Sequence, residues 1–125
     1  MLKILIAEDE EPIANLIRVN LTRAGYECTC ACDGEEAADQ MENGHFDLLL
    51  LDIMLPKING YELMEYANTL QLPVIFITAM GTTEHKVKGL KMGAEDYISK
   101  PFEIVELLAR VETVMRRYNK IGKTI

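Results

Sequence analysis

The sequence has no surplus of basic residues: 13 lysines and arginines face 20 aspartates and glutamates, for a net charge of −7. A domain so acidic lacks the charge that neutralises phosphates, which argues against a nucleic-acid or anionic-membrane surface on it. Any DNA contact has to come from elsewhere. No apolar run approaches the roughly 18 residues of a membrane span, and Met1-Leu2-Lys3 leads straight into an apolar segment without a basic region and long hydrophobic stretch. The chain therefore reads as cytoplasmic and soluble, with no membrane partner. Cysteine and histidine are scarce too. Cys28, Cys30 and Cys32 are spaced by two, which puts them on one face of a strand. His45 and His85 lie far off, so a closed set of about four zinc ligands does not form, and the thiols read as small half-buried residues in a reducing compartment. Repeats and low-complexity segments are absent. With 125 residues, 49% of them hydrophobic, the chain suits one domain burying about 65% of its unfolded surface, and a second domain would not fit.

What is present is a set of four short apolar runs, each ending on residues able to do chemistry. Ile4–Ala7 ends on Glu8 and Asp9, Leu48–Leu51 on Asp52, Val74–Ile77 on Thr78, and Tyr97–Ile98 on Ser99 and Lys100. Continuous runs of this length read as strands of a parallel sheet covered on both faces. Between them the period becomes helical. Pro12 opens a helix carrying Ile13, Leu16, Ile17 and Leu21, with Gly25 as its stop. Further helices are predicted from about Gly34 to Met41, from Gly60 to about Thr69, from the Thr82-Thr83 cap to Gly93, and along Ile104, Leu107, Leu108, Val111, Val114 and Met115. Five alternations of strand and helix, with right-handed crossovers, predict a doubly wound five-stranded parallel sheet with five helices, two layers of helix enclosing one of sheet. Ligands of such sheets bind outside the carboxyl ends of the strands, where the three acids, the hydroxyl and the ammonium converge.

The loop after the first run, Glu8-Asp9-Glu10-Glu11-Pro12, separates the candidate ligands. A nucleotide site would place glycines there so that backbone amides could approach a phosphate, whereas four carboxylates repel one. A phosphate arriving with a divalent cation is the exception. Carboxylate oxygens from Asp9 and Asp52, with a backbone carbonyl and waters, suit octahedral Mg²⁺. Glu10 and Glu11 read as a solvated acidic helix start favoured by the helix dipole. Asp52, held at the end of the most apolar run, suits a nucleophile, since carboxylates form aspartyl-phosphates. Lys100 offers a point charge for a phosphoryl oxygen, and Thr78 one hydroxyl donor. A cis bond at Lys100-Pro101 would aim the lysine into the crevice; the sequence leaves cis and trans open.

From Lys3 to about Tyr118 the chain resembles the receiver domain of two-component response regulators. The matching segments are Ile4-Leu5-Ile6-Ala7-Glu8-Asp9-Glu10, Leu51-Asp52-Ile53-Met54-Leu55-Pro56 with Gly60, Thr78-Ala79, and Gly93-Ala94-Glu95-Asp96-Tyr97-Ile98-Ser99-Lys100-Pro101-Phe102. The resemblance implies the flavodoxin-like and CheY-like strand order 2-1-3-4-5. It implies Asp52 as phosphoacceptor from a sensor histidine kinase, and Glu8, Asp9, Asp52 and the Met54 carbonyl as ligands of Mg²⁺ or Mn²⁺. It also implies Thr78, Ala79 and Lys100 as the phosphate-binding set, and Thr78 and Tyr97 as a switch pair in which Tyr97 turns inward. Two departures stand out: Glu8 where the family mostly has aspartate, and Asn59 where an acid is common, a loop position on which little hangs.

The run from Lys86 through Phe102, with Met54-Leu55-Pro56, further resembles the OmpR-like transcription-factor subclass, whose members carry a DNA-binding domain after the receiver. Residues 1–119 then form the receiver and 120–125 the start of an interdomain linker, the alternative being a stand-alone receiver acting through protein contacts. An aspartyl-phosphate phosphohydrolase would need an acid two residues after the nucleophile, where Met54 stands, so turnover is not expected. The subclass implies a two-fold dimer on phosphorylation. Glu106, Arg110 and Arg117 share one stripe, set to meet Lys86, Asp96 and Glu95 of a second copy around Val87, Leu90 and Ala109.

Overall fold

The computed structural model describes residues 1–118. The expected linker, 120–125, and the last residue of the expected receiver therefore lie outside the described residues. Strands β1 (Lys3–Ala7), β2 (Glu27–Ala31), β3 (Leu48–Leu51), β4 (Val74–Thr78) and β5 (Asp96–Ser99) alternate with helices α1 (Glu11–Arg23), α2 (Gly34–Asn43), α3 (Gly60–Thr69), α4 (Thr83–Lys91) and α5 (Ile104–Arg117). The strands form one parallel sheet in the order β2-β1-β3-β4-β5.

The period of two along each strand divides the core. Leu5, Leu49, Leu51, Val74 and Phe76 face the side of α2 and α3, joined by Ala37, Met41, Leu63, Met64 and Ala67. Ile4, Ile6, Leu48, Leu50, Ile75 and Ile77 face the opposite side, against Ile17 and Leu21 of α1 and Leu107, Val111, Val114 and Met115 of α5. All four residues of β3 are buried, which is why its sequence carries no polar alternation.

Helix starts follow local chemistry. Pro12 opens α1, Asp33 caps α2, and the Thr82 hydroxyl accepts from the His85 amide at the start of α4. Asn59 carries more weight than expected: with Glu62 it forms a reciprocal capping box at the start of α3. Gly60 is required by close approach. A Cβ there would sit 2.5 Å from the Asp52 carbonyl oxygen and 2.6 Å from Ile53 Cα, so the first turn of α3 lies against the backbone that carries Asp52. Cys28 and Cys30 pack, half-buried, on the α1 and α5 side, while Cys32 lies past the end of β2 and is exposed. The sequence reading of three thiols on one strand thus holds for two, because the strand stops at Ala31. Among the described residues no helix is long and apolar enough to cross a membrane.

Candidate functional site

Register brings the site together. Ala7 pairs with Leu51 across β1 and β3, and the Asp52 amide donates to the Ala7 carbonyl at 3.0 Å, so Glu8 and Asp52 leave the sheet side by side. On the other flank Thr78 pairs with Ser99, and the Lys100 amide donates to the Thr78 carbonyl at 2.8 Å. The Lys100-Pro101 bond is cis.

The Lys100 ammonium lies 2.6 Å from Glu8 Oε1, 2.8 Å from Asp52 Oδ2 and 3.0 Å from Glu10 Oε2. Glu8 is 4% exposed and Asp52 5%, among the few buried charged groups of the chain. Asp52 Oδ1 also accepts from the Met54 amide at 3.2 Å. The mouth of the cavity over Asp52 is lined by Asp9, Glu10, Met54, Thr78, Ala79 and Lys100, with Met54 itself exposed.

The carboxylates of Glu8, Glu10 and Asp52 place one oxygen each within 4.8 Å of one another. Glu10, expected as a solvated helix start, is the N-cap of α1 with its side chain 59% exposed, and its carboxylate in addition reaches the ammonium. The reason is its place at the cap of α1, where its amide donates to Glu8 Oε2 at 3.1 Å and folds the loop back over the site. The sequence carries no signal for this contact, since an acid at a helix start reads the same whether or not it reaches a cation. Asp9 lines the same cavity but stands outside that three-carboxylate cluster. Thr78 is fully buried, its Oγ1 accepting from the Met80 amide at 3.3 Å. Tyr97 points inward beneath α4 and donates to the Met80 carbonyl.

The electrostatics follow from burial and pairing. Burial pushes the Glu8 carboxyl up to about 7, against the lowering influence of Lys100. For Lys100 burial acts downward, but its hydrogen bonds to Asp52, Glu8 and Glu10 outweigh it, so the ammonium is held well above the ordinary lysine range. Burial raises the Tyr97 phenol to about 12, with Tyr61 and Asp52 adding to the effect. One ammonium shared by three carboxylates leaves the cluster short of positive charge, and its donors are oxygens only. That set fits a hard divalent cation such as Mg²⁺ or Mn²⁺.

The residues assigned to an interface lie together on α4, β5 and α5. Lys86, Val87, Leu90 and Ala109 are exposed. Arg110 reaches Asp96 at 2.8 Å and Glu106 at 3.0 Å, and Arg117 reaches Glu95 at 2.6 Å, all within one chain. Sequence reasoning placed the Asp96–Arg110 and Glu95–Arg117 pairs between two copies; β5 lies close enough to α5 to close both in the single molecule.

Comparison with known proteins agrees with this architecture. Residues 4–112 match the family described as the response regulator receiver domain. The chain is 42% identical over 118 residues to the transcriptional regulatory protein CusR of Escherichia coli strain K12, covering 93% of this chain and 52% of that protein. It is 44% identical over 118 residues to the response regulator ArlR of Staphylococcus aureus strain Mu50, covering 94% and 54%. Its fold matches the structure of DrrB, a Thermotoga maritima OmpR/PhoB homolog, with a TM-score of 0.85 and 31% identity over 94% of this chain and 54% of that one. The chain thus spans about half the length of the curated relatives it matches.

Proposed function

This chain belongs to the response regulator receiver domains, and from that premise we propose that it is a phosphorylation-activated switch accepting a phosphoryl group on Asp52 from a sensor histidine kinase in the cytoplasm. The observation that carries the proposal is the contact of the Lys100 ammonium with Asp52 at the carboxyl edge of the sheet, flanked by Glu8 and Glu10. The Asp52 carboxylate is the attacking group. Lys100, Thr78 and the exposed Ala79 line the cavity where phosphoryl oxygens would lie. Glu8, Asp9, Asp52 and the Met54 carbonyl would hold Mg²⁺ or Mn²⁺, which supplies charge neutralisation to the incoming phosphate. Acetyl phosphate with Mg²⁺ should therefore modify the chain, and EDTA should stop it. Modification that is indifferent to EDTA would remove the metal from the account.

Met54 and Met80 offer no group to activate water, so slow dephosphorylation rather than turnover is the expected chemistry. Beside the cavity an apolar groove lined by Ile13, Leu16, Pro101 and Phe102 shares Glu10, Ala79 and Lys100 with it. A kinase helix seated there would bring its phosphohistidine to Asp52. In the full-length regulator the receiver would act through a following DNA-binding domain, as the naming of CusR as a transcriptional regulatory protein suggests; this domain would not touch DNA itself.

Phosphorylation would then drive a two-fold dimer through α4, β5 and α5, with Lys86 paired to Glu106, Asp96 to Arg110 and Glu95 to Arg117 across the axis. Two of these pairs already close in-chain, so exchanging them between copies gains little, and exposed pairs are worth only about 0–1 kcal/mol each. The net drive falls to burial of Val87, Leu90 and Ala109. Sedimentation of the beryllofluoride-treated chain should show a dimer that Arg110→Glu abolishes. A persistent monomer at high concentration, or a dimer indifferent to Arg110→Glu, excludes this surface.

A further inference from the structure

Helix α4 rests on the sheet unlike its neighbours: its single buried residue is Gly89, a residue with no side chain. A glycine inside a helix lowers helix propensity relative to alanine, so it needs another reason to be there. Backbone geometry does not supply one. The positive-φ glycines are Gly25 and Gly93, and Gly89 is an ordinary helical residue.

Close approach does supply one. A Cβ at position 89 would lie 3.0 Å from Tyr97 Cδ2, 3.1 Å from Phe76 Cδ2 and 3.2 Å from Tyr97 Cε2. Phe76 has little room to yield, being fully buried and edge-to-face with both Tyr61, at 5.9 Å, and Tyr97, at 6.0 Å. Tyr97, nearer the surface, is the ring that must move. Its hydroxyl donates to the Met80 carbonyl, and the Met80 amide donates in turn to Thr78 Oγ1. A short line of contacts thus runs from α4 through Tyr97 and Met80 to Thr78 at the site.

We infer that Gly89 is a positioning residue of the switch: the space beneath it is what lets the Tyr97 ring lie inward and hold the loop after β4 by the Met80 carbonyl. Alanine at this position fills the space, so the Tyr97 ring has to give by a few tenths of an ångström. That displacement loosens the hold of the phenol on the Met80 carbonyl, and with it the packing of the loop beside Thr78.

The test uses the chain with fluorine-labelled tyrosine, the Tyr97 resonance being assigned by its disappearance in Tyr97→Phe. In Gly89→Ala that resonance should move from its wild-type position and broaden more than in wild type with a dissolved paramagnetic agent, and the Met80 amide resonance should shift with it. An unchanged, shielded Tyr97 overturns the inference. Stability provides a second arm. Gly89→Ala should lower the unfolding midpoint when Tyr97 is present and lower it less, or raise it, in a Tyr97→Ala background, where helix propensity is opposed by one ring fewer. An equal effect in both backgrounds overturns the inference. If Gly89→Ala fails to fold, its rescue by Tyr97→Ala supports the assignment and failure of rescue rejects it. Neither arm needs a phosphoryl group, so a chain that never accepted one would leave this result standing.

Discussion

Lys100→Met is expected to cost about 3 kcal/mol of stability at pH 8 in EDTA, the usual range when one partner of a buried ion pair is removed. The side chains of Glu8, Asp52 and Lys100 are 3%, 6% and 10% exposed, so water replaces little of the lost charge. The pH dependence follows from the sign of the Glu8 shift. A carboxyl raised from 4.5 to about 7 in the folded chain contributes stability that is fully present below pH 4.5 and lost as pH rises through about 7. Removing the ammonium raises it further. The deficit of Lys100→Met should therefore be small near pH 5, where the cluster can take up protons, and large near pH 8. Added Mg²⁺ should recover part of it by mass action. Urea unfolding at the two pH values, with and without the cation, measures all of this, and a variant as stable as the parent at pH 8 in EDTA would show that the ammonium does not hold the cluster together.

Much of this arrangement was legible in the sequence because parallel strands covered on both faces leave uninterrupted apolar runs, and the polar residue that ends such a run marks the sheet edge. Asp52, Thr78 and Lys100 were found that way, and the order of the strands followed from the family resemblance. What escaped has physical causes. Glu10 looks the same in sequence whether or not its carboxylate, largely exposed at the helix start, also reaches an ammonium ninety residues away. The Asn59 capping box is present in the spacing Asn-x-x-Glu, but the same spacing is common in loops and acquires meaning only where a helix starts at Gly60. The pairs of Arg110 and Arg117 could not be assigned to one chain or two, since a stripe on α5 beside β5 serves both. Gly89 in sequence is merely a weak helix residue; its use appears only when Tyr97 and Phe76 are seen beneath it.

The largest functional effect is expected from Asp52→Ala, which should abolish phosphoryl acceptance altogether. Other carboxylates lie close, but Glu8 points into the Lys100 contact with 3% of its side chain exposed, and Glu10 and Asp9 sit on the exposed loop after β1 rather than on the edge of a buried strand. Asp52 is fixed by β3 behind it, by the Met54 amide on Oδ1 and by Lys100 on Oδ2, and it also lines the open cavity, which Glu8 does not. Orientation of this kind is worth several orders of magnitude in rate, so a neighbouring acid is not expected to substitute for it. Asp52→Ala should also leave Lys100 to Glu8 and Glu10 without unfolding the chain, which circular dichroism can verify before the phosphorylation assay is read.

The most direct measurement is to treat the wild-type chain with acetyl phosphate and Mg²⁺, trap the acyl phosphate with borohydride, which reduces the modified aspartate to homoserine, and locate that residue by peptide mass spectrometry. The account predicts a single homoserine, at position 52, absent from samples prepared in EDTA; trapping at Glu8, Asp9 or Glu10, or none at Asp52 with Mg²⁺ present, would contradict it.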